Sequence, residues 1–231
     1  ASSLKSQVSP LKSQPTSLRL VYFGRLSPEK NLPFAFELLK EFAQAHPDRT
    51  VIYDLIGSGS DHYESELRDL AARLPATVQV NFIGQLSPEA LQARLQPSAL
   101  TDQPSAISHQ SSLSQEPSHL STYLPSHSFQ SPYHAMLMPS LTENFSYTVL
   151  ESLQAGIPLL ISDQTPWRDL EAQGIGWDLS LDLGDPWLHA LESMSEEPIS
   201  ARITQSKGIR RYARSWAVSY LSVANSLFDF N

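Results

Sequence analysis

The chain has 231 residues, 41% of them hydrophobic, which is enough for one or two domains with a full core. Its net charge of −8 argues against a nucleic-acid partner, which calls for a basic face, and against purely electrostatic docking to an anionic membrane. The absence of cysteine excludes disulfides and thiolate metal sites and fits a reducing, cytoplasmic compartment. No run of about 18 apolar residues encodes a transmembrane helix. The first residues hold no apolar signal segment, so the chain is expected to be an internal fragment or a separately made half.

Residues 1–17 are Ser, Lys, Gln and Pro with isolated aliphatics, a linker composition. One domain is expected over 18–231. Leu18 to Phe23 is expected as a strand. Asn31 to Ala45 follows as an amphipathic helix with Phe34, Leu38, Leu39 and Phe42 on one side. Val51 to Ile56 is a strand ending in Gly57-Ser58-Gly59. Tyr63 to Leu74 is a helix, Val78 to Ile83 a strand, and Pro88 to Leu95 a short helix.

Residues 97–132 break this pattern. Rich in Ser, Pro, Gln and His, they hold too little apolar surface to offset ordering entropy, and are expected as a low-complexity insertion. The insertion joins a helix end to a strand start, a connection that lies away from the ligand crevice of a doubly wound sheet.

The regular pattern resumes with a buried strand at 135–140, a helix from Ser146 to Ala155 stopped by Gly156 and Pro158, and a strand at 157–162. A helix turn at 168–173 and helices at 186–195 and 199–214 complete the order. Strands alternating with helices imply an α/β, Rossmann-like, doubly wound parallel sheet.

Three stretches carry chemistry. Glu143 precedes the helix at 146–155 and Glu151 lies within it, eight residues on. Asn144, Phe145 and Ser146 form the bend between them, and Ser146 is expected to cap the helix. Open N–H groups at such a helix start favour an anion, and a nearby carboxylate accepts hydroxyl hydrogen bonds. An anion cradle beside a hydroxyl acceptor suits a nucleotide sugar.

The second stretch is the first half of an internal repeat. Phe23-Gly24-Arg25-Leu26-Ser27-Pro28-Glu29-Lys30 and Ile83-Gly84-Gln85-Leu86-Ser87-Pro88-Glu89-Ala90 are nearly the same phrase. The shared Gly, Ser and Pro serve a turn, an N-cap and a first helical position. Arg25 and Lys30 have no counterpart in the second copy, so the scaffold does not require them. A diphosphate is the natural ligand for that pair.

The third stretch runs from Ser162 to Leu170 and on to Gly174-Ile175-Gly176-Trp177. Together the three resemble the "group 1" family of retaining glycosyltransferases with the two-domain GT-B fold. Glu143 and Glu151 followed by Ala155-Gly156-Ile157-Pro158 are similar to its paired-acid signature. Gly24, Arg25 and Lys30 are similar to its diphosphate site. The third stretch resembles a bacterial branch, over roughly 18–216 in all.

The resemblance implies the donor-binding, C-terminal half of an enzyme of glycan biosynthesis. Such an enzyme moves a hexose-type sugar from a UDP-, GDP- or ADP-linked donor with retained anomeric configuration. Gly24, Arg25, Lys30, Glu143, Asn144, Phe145, Ser146 and Glu151 would bind the donor. Arg25, Lys30 and Glu143 would assist catalysis, with no metal or other cofactor. The acceptor would bind a separate N-terminal domain. This chain alone is therefore expected to be inactive, and any contact with the inner membrane face is expected through that partner. The alternative is a non-catalytic nucleotide-binding or scaffold module that keeps the fold.

Competing readings differ in weight. Glu151 could be an ordinary exposed helix acid, Glu143 a loop anchor, and Lys30 a counter-charge to Glu29. Gly57-Ser58-Gly59 resembles the family's Gly-x-Gly turn, but a plain tight turn explains it. Trp167 and Trp177 read as packing residues. The seven histidines lack metal-ligand spacing.

Overall fold

The computed structural model describes residues 17–96, 131–182 and 184–228, with side chains through residue 219. Six strands form one parallel sheet: β1 (Leu18–Phe23), β2 (Val51–Ile56), β3 (Val78–Gly84), β4 (Ala135–Met138), β5 (Leu159–Ser162) and β6 (Gly176–Leu179). Their spatial order is β3-β2-β1-β4-β5-β6. The chain therefore builds outward in one direction from β1, returns, and builds outward in the other. This is the Rossmann-like order, and its reversal lies between β1 and β4. Central strands β1, β4 and β5 read as near-continuous apolar runs because helices cover both of their faces.

The helices are α1 (Leu32–Ala45), α2 (Asp61–Ala71), α3 (Pro88–Leu95), α4 (Tyr147–Ala155), α5 (Asp185–Glu196) and α6 (Ile199–Phe228). Several differ from the sequence-based expectation. α1 begins at Leu32 because Asn31 is left-handed, with φ 52°, and closes a separate 3-10 turn at Pro28–Lys30. α2 starts two residues early because the Ser60 hydroxyl accepts from the Tyr63 N–H at 3.3 Å. Residues 170–174 form a turn rather than a helix. There the Asp178 carboxylate takes the Leu170 N–H at 2.9 Å. α6 runs well past residue 214, since nothing between Ser215 and Phe228 is a helix breaker.

The expected linker and insertion lie outside the described residues, apart from Ser17, Ser131 and Pro132. The chain on either side of residues 97–130 is tied together by a buried polar knot. Asp54, fully buried on β2, accepts from Arg94 of α3 at 2.8 Å, Tyr133 at 2.7 Å and Asn81 at 2.7 Å. Burial alone would raise the Asp54 carboxyl, but these three donors outweigh it and hold the group below its ordinary value.

His134 sits one residue before β4, where its Nδ1 accepts the Arg19 N–H at 3.0 Å. Desolvation, reinforced by the Arg202 charge, pushes its imidazole down to about 4. Between the ordinary value of 6.5 and about 4, the unfolded chain binds a proton that the folded chain refuses. Stability is therefore expected to fall by about 3 kcal/mol as pH drops through that window. Denaturant titrations at several pH values should show this loss, and His134→Asn should flatten it.

Candidate donor site at the sheet reversal

The loops leaving β1 and β4 lie at the reversal point of the sheet, at the carboxyl ends of the strands, where doubly wound folds bind their ligands. Two charged side chains meet across it. Lys30, from the 3-10 turn after β1, places its Nζ 2.5 Å from Glu143 Oε1, in the loop after β4. Both side chains are largely covered, at 18% and 8% exposure. The Ser140 hydroxyl donates to the same Glu143 oxygen at 2.8 Å. The Leu141 N–H also donates to the Glu29 carbonyl at 2.8 Å, so backbone and side chains lace the two loops together.

The left-handed Asn31 accounts for the lysine's position. It ends the 3-10 turn at Lys30 and breaks it from the axis of α1. The second copy of the repeat has no such break. Ser87 there caps α3 directly, accepting from the Ala90 N–H at 3.2 Å. Ser27 makes no side-chain cap bond in the first copy. The shared phrase thus folds two ways, and the copy with cations is the one that departs from the plain helix start.

Arg25 behaves differently from Lys30. Its side chain is 76% exposed and lies 3.5 Å from Glu29. Glu29 is therefore paired by Arg25, while Lys30 goes to Glu143. The Arg25 carbonyl accepts from the buried Tyr22 hydroxyl at 2.8 Å, which anchors the loop, while the guanidinium lies in solvent beside Glu29.

Ser146 occupies the cap position of α4 but does not cap it. It is left-handed at φ 57°, and its hydroxyl lies 3.0 Å from the Thr148 hydroxyl. This corrects the expectation, and the reason is backbone conformation: a cap needs the extended region. The opening N–H groups of α4 are consequently not taken up by the Ser146 side chain, although the Val149 N–H donates to the Ser146 carbonyl at 3.0 Å. A non-glycine residue in this conformation is a strained one, of the kind that clusters at functional sites.

Asn144 is exposed in the bend. The Phe145 ring packs against Tyr147, Trp167 and Trp216, at centroid distances of 5.1, 5.8 and 5.4 Å. Its carbonyl accepts from Trp167 Nε1 at 2.8 Å. Phe145 and Trp167 therefore fix the loop from behind. Glu151 lies on the exposed side of α4 and takes no part in the Lys30–Glu143 pair. Surrounding protein partly desolvates its carboxyl and raises it above the ordinary value, although solvent still reaches the side chain.

Gly24 and Gly57 bring the first two loops into direct contact. The Gly24 N–H donates to the Ile56 carbonyl at 2.9 Å, and the Leu26 N–H to the Ser58 carbonyl at 2.9 Å. A Cβ on Gly57 would stand 1.8 Å from the Gly24 carbonyl oxygen. Gly57-Ser58-Gly59 is thus a close backbone approach as well as a turn. Among the described residues, no group of three or more His, Asp or Glu is placed to hold a metal ion.

Sequence reasoning missed Ser140. It is fully buried, it orients Glu143, and its carbonyl accepts the Ser162 hydroxyl. The available signal was the Ser-x-x-Glu spacing of Ser140 and Glu143, which places a hydroxyl within reach of a carboxylate.

Residues 6–110 match the family described as "Glycosyl transferases group 1". The chain is similar to that family over this stretch, which is less than half of its length. The match includes Gly24, Arg25 and Lys30 but stops before Glu143. The fold of the whole described chain agrees with it. Anabaena HepE, solved in complex with UDP and glucose, superposes with a TM-score of 0.54 at 16% identity, covering 93% of this chain and 49% of HepE. TarM from S. aureus gives 0.60 at 12% identity, over 95% of this chain and 37% of TarM. WaaG, a glycosyltransferase of lipopolysaccharide biosynthesis, gives 0.53 at 14% identity, over 87% of this chain and 44% of WaaG. The chain thus spans half or less of the length of these glycosyltransferases, and their GT-B fold is the fold it shares. No curated protein matches it in sequence.

Proposed function

We propose that this chain is the donor-binding half of a retaining glycosyltransferase that takes a hexose-type sugar from a nucleoside diphosphate sugar. The observation that carries the reading is the Lys30–Glu143 pair across the sheet reversal, beside a helix start not closed by its own cap. Support comes from the group 1 match over the lysine loop and from the fold shared with HepE, whose structure contains UDP.

In this reading the diphosphate lies between the 24–30 loop and the start of α4. Bond cleavage to the sugar leaves negative charge on the diphosphate. Lys30, Arg25 and the N-terminal end of α4 stabilise that charge. Glu143 holds Lys30 in place before the donor arrives and then faces the sugar. Glu151 accepts the ribose hydroxyls. The acceptor is recognised by a partner domain, and transfer needs both halves. With that partner supplied, the product should keep the donor's anomeric configuration by NMR; an inverted product would overturn the retaining assignment.

Glu151 supplies a sharper test. Glu151→Ala should weaken nucleoside diphosphate binding about tenfold or more, the worth of a hydrogen bond to a charged acceptor. The exposed position should leave stability within about 0.5 kcal/mol. A 2′,3′-dideoxy nucleotide should bind wild type and variant alike. The raised Glu151 carboxyl also sets a direction with pH: affinity should fall on acidification sooner than for an ordinary glutamate, and Glu151→Gln should remove that dependence.

A further inference from the structure

The buried tyrosines of this domain use their hydroxyls, with one exception. Tyr22 donates to the Arg25 carbonyl at 2.8 Å, Tyr53 to the Leu137 carbonyl at 2.8 Å and Tyr133 to Asp54 at 2.7 Å. Tyr63 is 9% exposed, and its hydroxyl is buried with no hydrogen-bond partner among the described residues. A buried hydroxyl without a partner destabilises the fold, and phenylalanine would fill the same space without that penalty. The packing of this state therefore gives no reason for the hydroxyl.

Its place in the fold supplies one. Tyr63 stands in the first turn of α2, just after Gly57-Ser58-Gly59, and Gly59 bridges to Leu26 in the 24–30 loop. The hydroxyl is within electrostatic reach of Glu29 of that loop and of the Tyr22 hydroxyl. Burial, with the charges of Glu29 and Glu66 added, raises it above its ordinary value, so it stays a proton donor. Glu66 is half-exposed on α2 and lies 3.3 Å from His62. Glu29 is the carboxylate that belongs to the donor loop.

Glu29 also has cause to move. Its carboxylate lies 3.5 Å from Arg25, a cation assigned above to the donor diphosphate. A diphosphate carries more negative charge than a carboxylate, so on arrival it takes Arg25 and repels Glu29. The Glu29 backbone cannot follow. Its carbonyl accepts the Leu141 N–H at 2.8 Å, and the Lys30 and Asn31 N–H groups close the turn on the Ser27 and Pro28 carbonyls. Rotation of the side chain alone remains, and an unused donor lies close by.

We propose that Tyr63 is a positioning residue of the donor site, whose hydroxyl receives the Glu29 carboxylate when a diphosphate takes Arg25. The inference rests on the donor-site reading and adds to it a residue that touches neither phosphate nor sugar. Without the hydroxyl, Glu29 has no second partner and keeps competing with the diphosphate for Arg25.

The test is calorimetric titration of the purified chain with UDP, GDP and ADP, using wild type, Tyr63→Phe, Glu29→Ala and the double variant. Tyr63→Phe should bind the nucleotide about tenfold more weakly, the worth of a hydrogen bond to a charged acceptor. Its melting temperature should equal or exceed that of wild type, since an unpaired buried hydroxyl has been removed. A purely structural tyrosine would not combine these two results. Glu29→Ala should bind at least as tightly as wild type, and Tyr63→Phe should have no further effect in that background. Unchanged affinity in Tyr63→Phe, or weaker binding together with a lower melting temperature, would overturn the proposal and leave the donor site standing. So would an equal loss in the Glu29→Ala background, since the hydroxyl would then act without Glu29. Binding of none of the three nucleotides by wild type would overturn the donor site and this proposal together.

Discussion

Gly57→Ala is expected to destabilise the chain by more than about 4 kcal/mol, beyond the usual range for a single substitution. Two effects add. The glycine sits at φ 139°, where an L side chain is strained by about 1–3 kcal/mol. The new Cβ would also stand 1.8 Å from the Gly24 carbonyl oxygen, which is backbone and cannot rotate away. Relief would require the β1 and β2 loops to separate, at the expense of the Gly24–Ile56, Leu26–Ser58 and Gly57–Gly84 hydrogen bonds. Gly84→Ala is the matched control. It also has positive φ, at 80°, but a Cβ there meets nothing within 4 Å. It should cost about 1 kcal/mol. Urea denaturation of both variants checks the contrast, and equal losses would show that φ strain, not loop contact, governs these positions.

Lys30→Met is expected to act on stability and on binding together. It strands the Glu143 carboxylate, 8% exposed, with only the Ser140 hydroxyl for company. Loss of one partner from a buried pair costs about 3–5 kcal/mol; the slight exposure here places the expected loss near about 2–3 kcal/mol. Nucleoside diphosphate affinity should drop at least about tenfold, because a phosphate contact is lost. The double variant Lys30→Met/Glu143→Gln separates the effects. With the stranded charge removed, most of the stability should return while binding stays weak. Recovery of both would make the pair a structural strut rather than a ligand site.

The sheet was legible because its strands are short apolar runs bounded by Gly, Ser and Pro, and each of the first five strands falls where that pattern puts it. β6 was not. Gly176 and Asp178 disfavour a strand and leave Trp177 as the one strong strand former in the first three residues of a four-residue segment, which pairs along the edge of β5. The 3-10 turn ahead of α1 was missed for a related reason. Ser27-Pro28 looks like a helix cap, and only tertiary context turns Asn31 left-handed and sends Lys30 to the crevice. At the site, residue types and spacing pointed to Lys30 and Glu143. Their direct pairing depends on residues 113 positions apart meeting at the sheet reversal, and the uncapped start of α4 on a left-handed Ser146 that its residue type does not announce.

The central claim, a donor site built at the reversal between β1 and β4, is tested most directly by calorimetric titration of the purified chain with UDP, GDP and ADP. Wild type, Glu151→Ala and Arg25→Ala are compared side by side. Saturable binding of one nucleotide, weakened in both variants while each keeps its melting temperature, is the predicted result. Binding of none of the three, or binding that neither substitution changes, would contradict it.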